Sequence, residues 1–525
     1  MTGPSRQHAA VRNELFRNRF SAIAEEMGEM LQRMALSTNV KERLDFSCAL
    51  LDERGRLVVN APHIPVHLGA LGVCVRRVAD ELELQPGDVV VTNHPGYGGS
   101  HLPDVTLITP IFVGERLLGF AASRAHHAEL GGVRPGSMPP HATRLSEEGI
   151  VLEPFKLVIG GRSNYEEMER RLSDSAYPSR SPEENLADLR AAQAANQRGA
   201  EALRALAREH GAETIALQMQ ELFERARRRT AARLMDWIGL DETVVERLDD
   251  GSELAVRVEV YAGDEGARAR FDFEGTATQH PGNFNATSAI VRSAVLYVLR
   301  LAVDEPLPLN EGMLADVELL LPPGSMLDPH FPEDPAECPA VVGGNVETSQ
   351  RLVDALIRAL GLMAGSQGTM NNVIFGTNRF GYYETICGGA GASVGCVGAS
   401  AVQVHMTNTR MTDPEVLELR YPVRLEEFRV RRGSGGRGRH QGGDGCLRAI
   451  RFLEAAELSV LTQHRVEEPY GAEGGEPGDR GRQWIETVDG RRVDLGPSDA
   501  VEVTAGDRLV IETPGGGGWG RADAE

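Results

Sequence analysis

The chain has 525 residues, 41% of them hydrophobic and 25% charged, a globular composition with too much chain for one ordinary core. Lys and Arg number 55 against 76 Asp and Glu, a formal net charge of −21, and a field of that sign repels phosphate backbones and anionic lipid, which excludes nucleic acid and membrane surfaces as default partners. Neither a signal-type apolar core nor an apolar run of about 18 residues occurs, so a cytoplasmic protein is expected. Six cysteines without C-x-x-C spacing point to reduced thiols rather than a disulfide framework or a cysteine zinc site.

Phe16, Phe20, Ile23, Met27, Leu31 and Met34 recur every three or four residues and predict a helix over 8–37. Apolar runs at 46–51 and 56–59 flank Asp52-Glu53-Arg54-Gly55 and read as a hairpin. Val89-Val90-Val91, after Pro86-Gly87-Asp88, and the run 117–125 read as strands. From 182 to about 238 the pattern changes to long helices rich in Ala, Leu, Arg and Glu, capped at Ser181 and broken at Gly211. Leu254, Val256, Val258 and Val260 alternate, and with 268–273 they predict a second hairpin turned at Gly263-Asp264. Helices are expected over 288–301 and 348–362.

The last third is heavy in glycine, with Gly388-Gly389-Ala390-Gly391, Gly433-Ser434-Gly435-Gly436, Gly442-Gly443 and Gly515-Gly516-Gly517-Gly518 separated by strand-like runs such as 457–461 and 508–512. No glycine cluster leads into a Lys-Ser/Thr pair opening a helix, so no Walker-type phosphate loop is present. The expected fold is multi-domain α+β: a mixed α/β region over 1–180 that carries the site, a helical segment over 181–250, and a β-rich, glycine-rich region over 251–525.

Seven of the fourteen histidines, His63, His67, His94, His101, His126, His127 and His141, fall within one short stretch. Gly98-Gly99-Ser100-His101-Leu102-Pro103-Asp104 displays an imidazole and a carboxylate three residues apart on a loop that glycine keeps tight and proline keeps from helix. About twenty residues later Arg124-Ala125-His126-His127 closes an apolar strand, where adjacent side chains point to opposite faces. One histidine can ligate while its neighbour supports it. Imidazole nitrogen with carboxylate oxygen suits zinc, manganese or iron with a position left open for water or substrate; the alternative is that these histidines satisfy backbone groups or line an anion pocket. Asp45, at the mouth of an apolar run, reads on its own as an ion-pair partner of Arg43 or a turn residue.

Other constellations are softer. Gly344-Asn345-Val346-Glu347-Thr348-Ser349-Gln350 sets polar groups at a helix start, as an anion site or as a cap from Thr348 or Ser349. Thr369-Met370-Asn371-Asn372 and His405-Met406-Thr407-Asn408-Thr409 either line a cavity or satisfy turns. Cys387 reads as a small buried thiol, because no activating histidine stands beside it.

Several longer stretches carry a resemblance: Lys41-Glu42-Arg43-Leu44-Asp45-Phe46-Ser47, His63-Ile64-Pro65-Val66-His67-Leu68-Gly69, Gly99-Ser100-His101-Leu102-Pro103-Asp104-Val105, Arg124-Ala125-His126-His127-Ala128, the segment from Gly344 to Gln350, Gly368-Thr369-Met370-Asn371-Asn372 and the segment from His405 to Thr409. In this order they resemble the B-type subunit of the hydantoinase/5-oxoprolinase/acetone carboxylase family, over nearly the whole chain. The resemblance implies a larger A-type partner subunit that binds ATP and a divalent metal (Zn, Mn or Fe) held here by His101, Asp104 and His126, with Asp45 as the additional carboxylate. It implies ATP-dependent ring opening of a cyclic amide such as a hydantoin, oxoproline or lactam, the alternative being carboxylation of an activated ketone. The family's Asn-Asp-Pro-Tyr is replaced here by Asn93-His94-Pro95-Gly96. His127 or His94 is the expected general base, since an unperturbed imidazole titrates near ~6.5.

Overall fold

The computed structural model describes residues 6–60, 64–263, 266–303, 305 and 307–522; His63 and Asp264 lie outside them. The first periodic stretch forms the helix Arg6–Met34. Phe16, Phe20, Ile23, Met27 and Leu31 are buried along one stripe, while Met34, its last residue, is 52% exposed: the stripe runs out with the helix.

The apolar runs that follow form β1 (Phe46–Asp52), β2 (Leu57–Asn60), β3 (Val89–Thr92), β4 (Asp104–Val113), β5 (Arg116–His126), β6 (Phe155–Ile159) and β7 (Arg162–Ser163). They make one seven-stranded sheet in the order β2-β1-β5-β4-β3-β6-β7, antiparallel throughout. Both faces are covered, which is why β1 is buried along its whole length and apolar over 48–51. Phe46, Cys48, Leu50, Val91, Val105 and Leu107 pack under the helices Arg6–Met34 and Pro182–His210. The alternate residues Ala49, Leu51, Val90, Ile108 and Phe120 pack against Leu71, Cys74, Val75 and Val78 of the helix Pro65–Glu81. Each fully buried aliphatic side chain contributes about 1.5–3 kcal/mol, so this double layer is a stiff platform.

Ser181 occupies the N-cap of the helix Pro182–His210, but its hydroxyl makes no capping bond; Pro182, at the first turn where no N–H is needed, starts the helix instead. Gly211, at φ 85°, ends it and opens the helix Ala212–Leu234.

Strands β8 (Asp241–Arg247), β9 (Glu253–Gly263), β10 (Gly266–Asp272) and β11 (Val317–Leu320) form a second sheet in the order β11-β10-β9-β8. The expected β9–β10 hairpin pairs Gly263 with Gly266. The helix Ser349–Ala359 packs on β8 and β9 and against the helix Ser288–Ala302.

The C-terminal third holds β12 (Asn372–Gly376), β13 (Gly381–Glu384), β14 (Val423–Arg431), β15 (Gly445–Phe452), β16 (Ala456–Leu461), β17 (Arg482–Glu486), β18 (Arg492–Leu495), β19 (Ser498–Val503) and β20 (Arg508–Glu512). They build two sheets, β13-β12-β16-β19 and β14-β15-β20-β17-β18, that enclose Phe375, Tyr382, Ile450, Phe452, Leu458, Leu509 and Ile511. The glycine clusters bond backbone to backbone outside the strands: Gly389 N donates to Pro514 O, Gly443 N to Ala390 O and Gly516 N to Gly443 O, at 2.8–3.0 Å. A Cβ on Gly516 would stand 2.0 Å from Ala390 O, so glycine here permits close packing of main chains. The architecture is α+β, as the patterning predicts. No helix among the described residues is long and apolar enough to cross a membrane.

Candidate metal centre

The register of the first sheet assembles the site. Asp104 opens β4 and pairs directly with His126, the last residue of β5, while Phe46, at the start of β1, pairs with Ala125. Asp45 therefore falls at the same sheet edge, and its carbonyl accepts from His126 N at 2.9 Å. His101 sits one turn before Asp104, whose N–H donates to His101 O at 3.0 Å. Arg124 fixes that turn from within the sheet. Its Nε donates to Thr106 Oγ1, its Nη1 to Ser100 Oγ and its Nη2 to Gly98 O, at 2.8–2.9 Å.

The side chains converge on Asp104. His101 Nε2 lies 3.4 Å from Asp104 Oδ2, His126 Nδ1 lies 3.6 Å from Oδ1, and the two imidazole nitrogens are 3.3 Å apart. His101, Asp104 and His126 form the group of donors within metal-binding reach of one another among the described residues. Asp45 Oδ2 is 3.8 Å from His126 Nδ1 and 3.9 Å from Arg43 Nη1, so the carboxylate faces both the imidazole and the expected ion-pair partner.

One further member is His67, on the first turn of the helix Pro65–Glu81. Its Nε2 is 3.3 Å from Asp104 Oδ2, and its Nδ1 is 3.2 Å from Ser47 Oγ. The histidine clustering already included His67, but only the helix shows which way it faces.

The fit to a cation rests on Asp104. The residue is fully buried, yet neither carboxylate oxygen has a hydrogen-bond partner. Burying a carboxylate without well-formed hydrogen bonds costs several kcal/mol unless positive charge beside it compensates. One donor atom from each of His101, Asp104 and His126 lies within 4.8 Å of the others, close enough for the three to share one ion. Burial works to raise the Asp104 pKa, but His101 and His67 beside it overcome this and hold it well below the usual carboxylate range. Burial, reinforced by His101, drives His126 well below the ordinary imidazole value, which leaves the neutral ring that a metal requires. Asp45 is pushed up to about 6 by burial, against the pull of Arg43 and His67.

Distant segments complete the walls. Tyr383 of β13 stacks on the His126 ring at 4.5 Å between centroids. The amide of Asn345 lies across the His101 ring, its Nδ2 3.2 Å from Nδ1 and 3.3 Å from Nε2. Arg43 is buried beneath, donating to Tyr383 O at 2.7 Å and Thr409 Oγ1 at 3.1 Å. Asn345 and Glu347 ride on a π-helical turn, Gly344–Thr348, so neither Thr348 nor Ser349 serves as a cap; the Thr348 hydroxyl donates to Phe284 O instead. Glu347 Oε1 accepts from Asn372 Nδ2 at 2.6 Å and from Met370 N at 3.1 Å. The segments around 371 and 408 thus tie the walls together.

The two histidines expected as bases stand elsewhere. Strand alternation turns His127 away from His126 onto the helix Pro182–His210, where Asn185 Nδ2 donates to its Nδ1 at 3.1 Å. His94 lines a separate cavity of about 780 Å³ with Arg77, Tyr97, Glu153 and Phe331. Its Nδ1 accepts from Gly96 N at 2.9 Å, and burial lowers its pKa to about 4.

Fold and site together describe an α+β protein whose buried histidine and aspartate side chains have the donor chemistry of a divalent-cation centre. A family profile described as Hydantoinase B/oxoprolinase matches residues 9–522, and the chain belongs to that family. It is 46% identical to 5-oxoprolinase 1 of Arabidopsis thaliana over 97% of this chain and 42% of that protein. The chain spans about two fifths of the length of the first curated relatives it matches. Among solved structures it is similar to the ATP-dependent caprolactamase from Pseudomonas jessenii, with a TM-score of 0.85 and 25% identity, over 98% of this chain and 91% of that one. It shares its fold with nucleotide-free acetone carboxylase, at a TM-score of 0.84 and 18% identity, over 98% of this chain and 76% of that one.

Proposed function

We propose that this chain is the metal-holding part of an ATP-dependent cyclic-amide hydrolase that opens a hydantoin, oxoproline or lactam ring together with an ATP-binding A-type partner. The observation that carries the reading is the buried Asp104 carboxylate, without a well-formed hydrogen bond and ringed by His67, His101 and His126 at 3.3–3.6 Å. His101, Asp104 and His126, with Asp45 as the additional carboxylate, would hold a zinc, manganese or iron ion, which when bound supplies Lewis acidity and a water of lowered pKa.

An amide resists water because its nitrogen feeds electron density into the carbonyl. Phosphorylating the carbonyl oxygen ends that donation and creates a leaving group. This sequence has no Walker-type loop, so that step falls to the partner. The oxoprolinase relatives are more than twice as long as this chain, which leaves room in them for such a part. On this side, Ser47 Oγ orients His67 through Nδ1, so its Nε2, facing Asp104, is placed to hold or pass the proton of the attacking water. Arg43 and Asn345 keep Asp45 and His101 in position, and burial of the whole group limits competing solvent.

The test is to combine the purified chain with an A-type subunit, ATP and, in separate assays, 5-oxoproline, a lactam or a ketone, each with and without labelled bicarbonate. Ring opening that needs no bicarbonate supports the proposal. Label entering the product of a ketone substrate, with no ring opening, would replace it with the carboxylase reading.

A further inference from the structure

Cys387, three residues beyond β13, and Cys446, the second residue of β15, lie 59 residues apart in sequence with their sulfurs 3.3 Å from each other. Both are buried. One side chain holds the two main chains together: Thr513 Oγ1 donates to Cys387 O at 2.9 Å and accepts from Cys446 N at 2.7 Å. The sulfurs are therefore set by a fixed frame rather than by flexible loops. Nearby, the guanidinium of Arg448 grips Glu384 through two bonds of 2.8 and 2.9 Å. No third histidine, cysteine or carboxylate donor joins the pair among the described residues, so the arrangement does not suit a metal, which takes three or four protein ligands.

From this geometry we propose that Cys387 and Cys446 are a redox couple, a modification site at which peroxide closes a disulfide between β15 and the segment after β13. The Cys387 thiol is the attacking group, because the hydrogen bond from Cys446 lowers its pKa, with Arg448 adding to the effect, whereas Cys446 is raised by the same bond and by burial. The Cys387 sulfur attacks one peroxide oxygen, the O–O bond breaks, and a sulfenic acid and water result. The Cys446 sulfur then attacks the Cys387 sulfur, the S–O bond breaks, and the departing hydroxide leaves as water with the Cys446 proton. Two thiols supply two electrons to one peroxide, giving one disulfide and two waters. The couple needs only a small approach of the sulfurs, since a disulfide has them about 2.05 Å apart.

The experiment treats the folded, full-length chain with stepwise hydrogen peroxide, removes residual peroxide with catalase, unfolds the chain in the presence of excess iodoacetamide so that the buried thiols are trapped as they become exposed, and maps the cysteines by peptide mass spectrometry. The expected result is a dominant Cys387–Cys446 cross-linked peptide, lighter by two hydrogens, that dithiothreitol reverses and that Cys387→Ser or Cys446→Ala removes. Recovery of both residues as alkylated thiols once the exposed Cys396 has been oxidised would overturn the proposal. So would conversion of Cys387 to its sulfinic acid without the link.

Discussion

The rings of Tyr383 and His126 lie face to face, 4.5 Å apart and 8° from parallel, although the two residues belong to sheets at opposite ends of the sequence. The same tyrosine donates its hydroxyl to Asn372 Oδ1 at 2.9 Å, and Asn372 holds Glu347. A wall of the candidate centre is thus bolted to the C-terminal third. Tyr383→Ala should cost about 3–5 kcal/mol by cavity formation and weaken metal binding by freeing the His126 ring. Tyr383→Phe keeps the stack but strands a buried amide oxygen, at about 1–3 kcal/mol. Denaturant unfolding measures both; equal losses for the two variants would show that the stack contributes nothing.

Metal retention separates ligands from supports. Asp104→Asn removes the charge at the focus of the group and should abolish stoichiometric metal after purification. Asn345→Ala, which removes only the amide lying across His101, should weaken affinity by about 10–100-fold, as loss of an outer support does. Elemental analysis and competitive chelation measure the two. Stripping the metal should also lower the melting temperature, because an ion at ~100 times its dissociation constant stabilises the fold by about 2.7 kcal/mol.

Some of this was legible in the amino-acid order and some was not. The stripe from Phe16 to Leu31 follows from a 3.6-residue period, and the His101-x-x-Asp104 loop with the His126 strand end announces donors because such residues are rarely placed at apolar strand ends without a partner. What no local pattern holds is register. The opposition of Asp104 and His126 depends on how β4 pairs with β5, and a slip of one residue would send His127 to the site in place of His126. Asn345 lies 244 positions from His101, and Arg43 reaches Tyr383 across 340; such contacts come from tertiary packing alone. Strand β8 was hidden for another reason: most of its residues are exposed, so it lacks the apolar alternation that marks a strand.

Two buried glutamates give the fold a pH dependence of definite sign. Burial raises Glu148, which accepts from Val341 N and Val342 N at 2.9 Å, to about 8, and raises Glu347 to about 8 as well. In the unfolded chain both titrate near 4.5, so between these values the folded state binds more protons. Their stabilising contribution is complete below about pH 4.5, shrinks as pH rises, and is gone by about 8, at up to ~1.4 kcal/mol per pH unit for each group. Glu148→Gln and Glu347→Gln should each flatten the decline of unfolding free energy across that window. Urea titrations at several pH values decide it, and a slope unchanged from the parent protein in both variants would count against the buried neutral carboxyls.

The glycine layer predicts a harsh substitution outside the candidate centre. Gly516 N donates to Gly443 O and its carbonyl accepts from Gly436 N, both at 2.8 Å, so the residue is held on two sides. A methyl group there would meet Ala390 O at 2.0 Å and Ala390 C at 2.3 Å, and these are backbone atoms with no rotamer to yield. Gly516→Ala must therefore push main chains apart and break bonds in a layer where each segment supports the next, a loss above the usual 1–3 kcal/mol of overpacking. At Gly160, where a Cβ meets nothing within 4 Å but φ is +54°, alanine should cost only its backbone strain, of order 1–3 kcal/mol. Soluble yield and melting temperature compare the pair. Gly516→Ala should fail to accumulate or melt far below Gly160→Ala, and equal stability would mean that the glycine segments are not packed against one another as the hydrogen bonds require.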